Sequence, residues 1–254
     1  MPVFDSGGFQ IAFDDILGDN GRPMILVHGF TSNRNEGWRR LGWYGAFERN
    51  RIRCVALDNR GHGESAKPHD PTAYSRDAMS NDILNLMDHL GIERAHIMGY
   101  SMGSRLAIAA AMKAPKRFAT LTIGGVGDKL FENREVAGNP MAEAMEAADP
   151  ETIEEPMLKS FRQFADDQGE DRLALAALTR NRDPQLTREE LSRLEVPTLV
   201  VAGAYDELAG DPEPLAKIFP DGRAIVIPGC DHFSAIPHVL YKATVFDFLD
   251  GTLP

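Results

Sequence analysis

The chain is poor in three features that would assign it to a specialised class of protein. It has only two cysteines, Cys54 and Cys230, and neither belongs to a C-x-x-C pair, so we expect no disulfide framework and no zinc-thiolate site. We interpret both as buried hydrophobic residues in a reducing compartment. No apolar run reaches the roughly 18 residues that a membrane span needs. Residues 1–5 lack the basic and apolar regions of a signal peptide, so we predict a cytoplasmic protein without membrane partners.

Positive charge is also scarce. The 254 residues include 27 Lys and Arg against 38 Asp and Glu, which gives a formal net charge of −11 at pH 7. An acidic surface is repelled by phosphate backbones, so no nucleic-acid partner is expected. Hydrophobic residues make up 43% of the chain and charged residues 26%, which is typical of a globular protein. The length suits one large α/β domain, with or without an insertion.

The most informative stretch of the sequence is residues 97–105, where Gly-Tyr-Ser-Met-Gly joins a strand-like segment to an Ala-rich, helix-forming one. A nucleophilic serine needs its hydroxyl lifted clear of the sheet edge, and a strained strand-to-helix turn does this for Ser101. Gly99 and Gly103 lack the side chains that would collide with backbone in so tight a turn. The turn also places the Met102 backbone N–H at a helix N-terminus, where it can donate to an oxyanion.

Strand-like and helix-like segments alternate along most of the chain. This alternation predicts a mostly parallel, eight-stranded sheet with helices on both faces. Seven strands are located by pattern: residues 8–17, 23–28, 52–58, 93–100, 118–124, 197–202 and 222–227. The first of them alternates only in part, so we expect it at an exposed antiparallel edge. Helices are predicted at residues 38–48, 74–90, 102–113, 212–219 and 236–249, the last with Pro237 in its first turn.

The alternation is interrupted between residues 126 and 190, where helical patterns replace strands. Apolar residues recur at the spacing of one helix face from Met157 to Ala165. We therefore predict a helical cap over residues 126–190 that lies across the ligand edge of the sheet. The core domain then consists of residues 1–125 and 191–254.

Three residues with catalytic chemistry follow predicted strands, at the edge where open α/β sheets bind ligands. Ser101 lies in the tight turn, and Asp206 and His232 each follow one of the last two strands. The order Ser, Asp, His is that of one triad architecture. In it the histidine takes the serine proton, and the carboxylate orients the imidazole. Asp128, which follows the preceding strand, is the alternative for the acid.

The sequence contains seven histidines, and position singles out His232 as the base. His28 and His62 lie in tight glycine loops, where we expect structural hydrogen bonds. Asp58 ends a strand, and we expect it to fix the loop that follows.

These motifs resemble the α/β-hydrolase family over nearly the whole chain. The resemblance rests on Gly99–Gly103, His28-Gly29-Phe30, Asp58–Ser65, and Gly203-x-x-Asp206 together with Asp231-His232-Phe233. It implies the α/β-hydrolase fold with a helical cap insertion, and it implies that the Phe30 amide is a second oxyanion donor beside Met102. Family members that open epoxides or displace halide use aspartate as nucleophile. Ser101 therefore implies an acyl-enzyme formed from an ester or thioester. Asp231 replaces the small residue that more often precedes the histidine, a change that could shift the basicity of His232.

Arg105 extends the turn to Gly-Tyr-Ser-Met-Gly-Ser-Arg. This segment resembles the same turn in the menaquinone-pathway lyase (SHCHC synthase) that makes the succinyl-cyclohexadiene carboxylate. That enzyme needs several arginines to hold a polyanion, and the predicted cap offers Arg134, Arg162, Arg172 and Arg180. We interpret these four as solvated helix residues.

The sequence therefore predicts a serine hydrolase that cleaves a small, moderately apolar carboxylic ester or thioester. Phe30, Trp43, Tyr100 and Phe161 are predicted to contact the substrate, and neither a cofactor nor a metal ion is expected. A carbon–carbon bond hydrolase or the lyase on the same triad is an alternative, as is a non-catalytic small-molecule sensor. Homodimerisation is left open.

Overall fold

The computed structural model describes residues 2–19, 21–132 and 138–253. Its centre is a sheet of eight strands: β1 (Val3–Ser6), β2 (Phe9–Ile16), β3 (Met24–Val27), β4 (Cys54–Leu57), β5 (Ala95–Tyr100), β6 (Phe118–Gly124), β7 (Thr198–Gly203) and β8 (Gly222–Ile227). The strand order is β1-β2-β4-β3-β5-β6-β7-β8. β2 pairs antiparallel with both β1 and β4, and the other neighbouring pairs are parallel. The predicted eight-stranded, mostly parallel sheet is confirmed.

Strand β1 is missing from the seven strands that the sequence pattern located. It has four residues and turns into β2 through Gly7 and Gly8, whose φ angles are 63° and 90°. Two consecutive residues with positive φ match the twist of a tight hairpin. The Gly-Gly pair is therefore a hairpin signal in the sequence, but β1 is too short for its own pattern to be recognised.

Helices cover both faces of the sheet, as predicted. They are α1 (Trp43–Arg49), α2 (Arg76–His89), α3 (Met102–Lys113), α4 (Pro140–Glu146), α5 (Pro156–Asp167), α6 (Arg172–Arg180), α7 (Arg188–Ser192), α8 (Pro212–Ala216) and α9 (Val239–Leu249). Successive strand residues point to opposite faces, so Ile25 and Val27 of β3 join one apolar cluster while Met24 and Leu26 join another. The first cluster includes residues of α2, α3, α7 and α8, and the second includes residues of α1 and α9.

The predicted helix at residues 38–48 is wrong in its first half. Residues Asn35–Arg39 form a π-helical turn, and α1 begins only at Trp43. Gly42 separates them with a left-handed φ of 77°, because the chain must change direction there and glycine does this without steric cost.

The last helix also starts later than predicted, and Pro237 is not in its first turn. His238 is the N-cap residue of α9, and its side chain accepts a hydrogen bond from the backbone N–H of Leu240. This N-cap hydrogen bond marks the beginning of the helix, so Pro237 lies in the preceding loop and outside the helix.

Between β6 and β7, the segment for which a cap was predicted, the described residues contain helices and no strand. Residues of α4, α5 and α6 form an apolar cluster of their own, centred on Met145, Phe161 and Leu175. Val126 and Leu130 near the start of the segment, and Ala177 and Leu186 near its end, instead belong to a cluster of the sheet, so the segment is anchored on the core at both ends. In the described part of the chain, no helix has the length and apolar character to span a membrane.

Candidate active site

Ser101 lies in the turn between β5 and α3, with φ 55° and ψ −115°. Non-glycine residues seldom adopt a positive φ, and such strain is typical of functional sites. A Cβ atom at Gly99 would overlap the Gly103 carbonyl oxygen, and one at Gly103 would overlap the Val27 carbonyl oxygen. Gly99 is therefore required by the tightness of the turn itself, and Gly103 by the close packing of the turn against β3.

Ser101, His232 and Asp206 form a continuous chain of contacts. The Ser101 Oγ atom lies 3.0 Å from His232 Nε2. His232 Nδ1 lies 2.8 Å from Asp206 Oδ2 and 3.0 Å from Oδ1. Asp206 and His232 are only 4% and 6% exposed. A carboxylate on Nδ1 keeps the proton on that nitrogen, which leaves Nε2 free to accept the serine proton.

Asp206, rather than Asp128, contacts the histidine. The Asp206 Oδ1 atom also accepts hydrogen bonds from the backbone N–H groups of Leu208 and Ala209, at 3.1 and 2.9 Å. These bonds orient the carboxylate toward His232. Asp128 instead accepts the Asp211 N–H at 3.0 Å, so it supports the loop that carries Asp206.

Groups behind the imidazole hold His232 in place. The Tyr100 hydroxyl donates to the His232 carbonyl oxygen at 2.6 Å. A Cβ atom at Gly125 would lie 2.9 Å from His232 Cε1, so a larger residue there would displace the ring. The Asp231 carboxylate accepts the Ser234 hydroxyl at 2.6 Å and the Ser234 N–H at 2.8 Å. Asp231 therefore closes the turn after the histidine.

The Met102 N–H follows Ser101 directly in the chain, and the segment that contains Phe30 packs against the turn. Met102 is the first residue of α3, so its N–H has no acceptor within the helix. Phe30 follows Gly29, where a Cβ atom would lie 3.2 Å from the Tyr100 carbonyl oxygen and 3.4 Å from the Ser101 Cβ atom. This close approach places the segment that contains Phe30 against the turn of Ser101. Phe30 and Met102 could act together as the predicted oxyanion donors only with such a close approach.

Two buried histidines support the loop of Phe30. The His62 Nε2 atom accepts the backbone N–H of Thr31 at 3.3 Å, and His28 Nε2 accepts that of Asn59 at 2.9 Å. Burial lowers the pKa of His28 to about 4 and the pKa of His62 to about 3. Both rings are therefore neutral near pH 7 and keep a lone pair for these bonds. The expected structural roles of the two histidines are confirmed.

Asp58 fixes the loop after β4, as expected. Its carboxylate accepts the backbone N–H groups of Arg34 and Glu64 at 2.7 and 2.8 Å. It also pairs with the Arg34 guanidinium. The loop after β3 and the loop after β4 are thereby held together next to Phe30.

Glu170 is a site-supporting residue that the sequence analysis missed. It lies between α5 and α6 in the cap and is 8% exposed. Its carboxylate accepts the Asn33 side-chain amide at 2.9 Å and the Gly63 backbone N–H at 2.8 Å. Burial raises the pKa of Glu170. A glutamate between two helices is usually exposed, so the sequence carries no signal for this contact.

Two cavities meet at Ser101, and Phe30 and Phe161 line both. The smaller, of about 390 Å³, is lined by His232, by the charged residues Glu36 and Arg40, and by the apolar or aromatic residues Trp38, Leu41, Tyr100, Phe164, Phe233 and Ile236. The larger, of about 740 Å³, is lined by Met102, by the charged residues Arg105, Glu155 and Arg182, and by the apolar residues Val126, Leu130, Met141, Met157, Leu158, Leu178 and Leu208. Phe30, Tyr100 and Phe161, which were predicted to contact the substrate, line one or both of these cavities.

The prediction that Trp43 contacts the substrate is wrong. Its side chain is completely buried, and its indole N–H donates to the Ile236 carbonyl oxygen at 3.0 Å. Trp38 takes its place in the wall of the smaller cavity. The two tryptophan rings pack edge to face with centroids 6.2 Å apart. Because both residues lie in the same region of the fold, their positions in the sequence do not show which of them lines the cavity.

The cap arginines bond within the cap. Arg162 is 3% exposed and donates to the carbonyl oxygens of Ala144 and Ala147 and to Asp166, which corrects its interpretation as a solvated residue. Arg172 pairs with Asp166, and Arg180 pairs with Glu146. Arg134 lies outside the described residues.

The fold and this geometry are those of an α/β hydrolase, and comparison with known proteins agrees. The model of the α/β hydrolase fold family matches residues 22–183, which is more than half of the chain. The chain belongs to this family.

Individual relatives differ in what they do. The chain is 32% identical over 89% of its length to the dihydrolipoyllysine-residue acetyltransferase component of the acetoin cleaving system from Pseudomonas putida, of which it covers 62%. It is 24% identical to a putative 2-succinyl-6-hydroxy-2,4-cyclohexadiene-1-carboxylate synthase from Bacillus subtilis, with 89% of each chain covered. A solved structure of a thermophilic esterase from Thermogutta terrifontis, in a malate-bound form, is 26% identical, with a TM-score of 0.74 and 98% and 97% of the two chains covered.

Proposed function

We propose that the protein is a serine hydrolase that cleaves a small carboxylic ester or thioester through an acyl-enzyme. The observation that carries the proposal is the unbroken contact from Ser101 Oγ through the His232 imidazole to Asp206. Serine alone is a weak nucleophile near neutral pH, and a positioned base activates it.

In the first half of the reaction, His232 Nε2 removes the Ser101 proton as Oγ attacks the substrate carbonyl carbon. The Phe30 and Met102 N–H groups stabilise the oxyanion, and one such donor is typically worth about 2.7–4 kcal/mol. The imidazolium then returns its proton to the departing alcohol or thiol, which leaves an acyl group on Ser101.

In the second half, water replaces the alcohol. His232 removes a proton from the water, the hydroxide attacks the acyl carbon, and Ser101 Oγ leaves with the proton from the imidazolium. Asp206 stabilises the positive imidazole in both halves. The products are a carboxylic acid and an alcohol or thiol.

A carbon–carbon bond hydrolase or a lyase is the second candidate. It is supported by the Bacillus subtilis relative and by Arg105, which lines the larger cavity. The contacts of Arg162, Arg172 and Arg180 within the cap weigh against a polyanionic substrate held by these three side chains. We therefore place ester hydrolysis first.

The experiment combines a covalent probe with a substrate panel. An organophosphonate should label the wild-type protein once, at Ser101. A series of p-nitrophenyl esters of increasing chain length should be turned over many times, while a dienoic acid substrate should not. Hydrolysis of the dienoic acid alone would favour the second candidate. A protein that is stabilised by ligands without multiple turnover would be a sensor, which would refute the proposal.

A further inference from the structure

The two cavities lie on either side of one pair of phenylalanine rings. Phe30 follows β3 and Phe161 lies on α5, and their ring centroids are 5.9 Å apart with an angle of 55° between the planes. Both residues line both cavities, and both cavities reach Ser101. A substrate attacked at Ser101 therefore has one half on each side of this pair.

The position of the proton donor distinguishes the two sides. His232 lines the smaller cavity and not the larger, while Met102 lines the larger and not the smaller. The departing oxygen or sulfur must lie next to His232 Nε2, because that nitrogen protonates it. The acyl carbon stays bonded to Ser101 with its oxyanion at Met102, so the acyl chain extends away from the histidine.

We propose that the smaller cavity binds the leaving alcohol or thiol and that the larger cavity binds the acyl group. This assignment rests on the proposed function. The residues that line each cavity indicate the chemical class of the substrate half that binds there. Trp38, Phe164 and Phe233 in the smaller cavity suit an aromatic or compact apolar leaving group. Met141, Met157 and Leu178 in the larger cavity suit a flexible aliphatic acyl chain. Within the proposed class of small esters, the preferred substrate is therefore an aryl ester of a flexible aliphatic acid.

The chemistry offers a clean test of this assignment. Acylation breaks the bond from the carbonyl carbon to the leaving group and releases the leaving group from its cavity with the proton from His232. Deacylation then occurs with only the acyl group bound. A change in the smaller cavity should therefore affect acylation alone, whereas a change in the larger cavity should affect both steps.

Leu41 and Leu158 provide a matched pair of sites, because Leu41 lines only the smaller cavity and Leu158 only the larger. The same enlargement, Leu41→Trp and Leu158→Trp, fills one cavity at a time. Each variant is measured by rapid mixing with acetate esters of ethanol, phenol and naphthol, and with p-nitrophenyl esters of two to ten carbons. Leu41→Phe and Leu158→Phe are measured as well, so that a variant that does not fold is replaced by a milder one.

We expect Leu41→Trp to slow the release of phenol and naphthol by about tenfold or more, the usual effect of overfilling a specific pocket. Its deacylation rate for a given acyl group should match that of the wild type. Leu158→Trp should shorten the preferred acyl chain and slow deacylation of the longer chains, with the order of leaving groups unchanged. The assignment would be overturned if Leu41→Trp changed the acyl-chain series and Leu158→Trp changed the leaving-group series. It would also be overturned if both variants affected both series equally. If neither a burst of alcohol nor an adduct on Ser101 is seen in the wild type, the proposed function itself fails, and the assignment with it.

Discussion

Ser101 concentrates several constraints in one residue. Its φ of 55° is strained, its amide donates to the Gly124 carbonyl oxygen at 2.7 Å, and its hydroxyl contacts His232. Only the last of these depends on the hydroxyl. The backbone constraints belong to the turn and would survive the loss of that one oxygen.

Ser101→Ala should consequently separate activity from stability. We expect ester hydrolysis to fall by about 10⁴-fold or more, with residual rate from the oxyanion donors and binding. The free energy of unfolding should change by no more than about 1 kcal/mol and could rise, because functional sites are often strained. Steady-state kinetics and urea unfolding measure the two effects. Ser104→Ala is the control, since the Ser104 hydroxyl donates to Gly124 rather than to His232; loss of organophosphonate labelling in that variant would contradict the assignment of the nucleophile.

Asp206→Asn tests the acid of the triad. The asparagine oxygen can still accept the N–H groups of Leu208 and Ala209, but its NH₂ group then faces His232 Nδ1 and favours the wrong tautomer. We expect the fold to persist and kcat to fall by about 10⁴-fold. Asp128→Asn keeps an acceptor for the Asp211 N–H and should retain activity within about twofold, since a surface change of this kind costs little. The reverse pattern in ester hydrolysis would move the acid to Asp128.

At the scale of elements, one buried carboxylate of the cap bonds to the loops after β3 and β4, in addition to the contact between Phe161 and Phe30. Glu170, between α5 and α6, bonds to Asn33 after β3 and to Gly63 after β4. Asn33 is three residues from the proposed oxyanion donor Phe30. The position of the cap and the position of that donor are therefore mechanically connected.

Glu170→Gln should weaken this connection while keeping the side-chain volume. Either the Asn33 side-chain amide or the Gly63 backbone N–H would then face the new NH₂ group and lose its acceptor. An unsatisfied buried donor lowers the free energy of unfolding by about 1–3 kcal/mol. We expect a lower kcat with a smaller change in KM, because the donor acts on the transition state more than on the bound ester. Asp167→Asn, an exposed carboxylate of α5, is the control for charge. Equal kinetics in the two variants would show that Glu170 does not position the loop.

The pH dependence of stability provides a second measurement on Glu170. Its pKa is raised by burial, so the folded state binds a proton more readily than the unfolded state does. The wild type should lose stability relative to Glu170→Gln as pH rises through that raised pKa. Parallel stability curves for the two proteins would contradict this.

Most of the helical part of the cap, α4, α5 and nearly all of α6, should be removable. The side chain of Asn139 donates to the Thr179 carbonyl oxygen at 2.7 Å, so the two ends of the helical segment lie close together. Deleting residues 140–178 and joining the ends with a short Gly/Ser linker leaves every strand pair intact. We expect cooperative unfolding, a lower Tm because Ala177 and its neighbours leave the core, and loss of selectivity for acyl chain length. A variant without cooperative unfolding would show that the cap is part of the folding core.

For the molecule as a whole, the buried residues His28 and His62 and the half-buried His96 lower the stability of the fold in acid. Burial lowers the pKa of His28 and of His96 to about 4, and that of His62 to about 3. Below the ordinary pKa of 6.5 the unfolded chain binds protons that the folded protein excludes. Each histidine can therefore remove up to about 1.4 kcal/mol of stability per pH unit as pH falls from 6.5 toward its folded value.

His96→Gln isolates one of these contributions without touching the catalytic loops. The variant should lose less stability than the wild type between pH 6.5 and pH 4, whatever its stability at pH 7. Unfolding by urea at several pH values gives both curves. If the curves are parallel, His96 does not exclude protons in the folded state.

Local patterns in the sequence determined most of the sheet, the serine turn, and Ser101 and His232 as two members of the proposed triad. Apolar runs and glycine positions act through nearest neighbours in the chain, so they can be recognised without coordinates. The short strand β1 and the break at Gly42 escaped because the residues around them carry too little pattern of their own.

Only the tertiary structure decided which side chains meet across long separations in sequence. In the tertiary structure, Asp206 rather than Asp128 contacts His232, and Trp38 rather than Trp43 lines the smaller cavity. Glu170 contacts the loop that follows Phe30. These outcomes depend on how helices pack on the sheet and on one another. Packing directions of this kind are set by the summed contacts of many residues, which no short stretch of sequence contains.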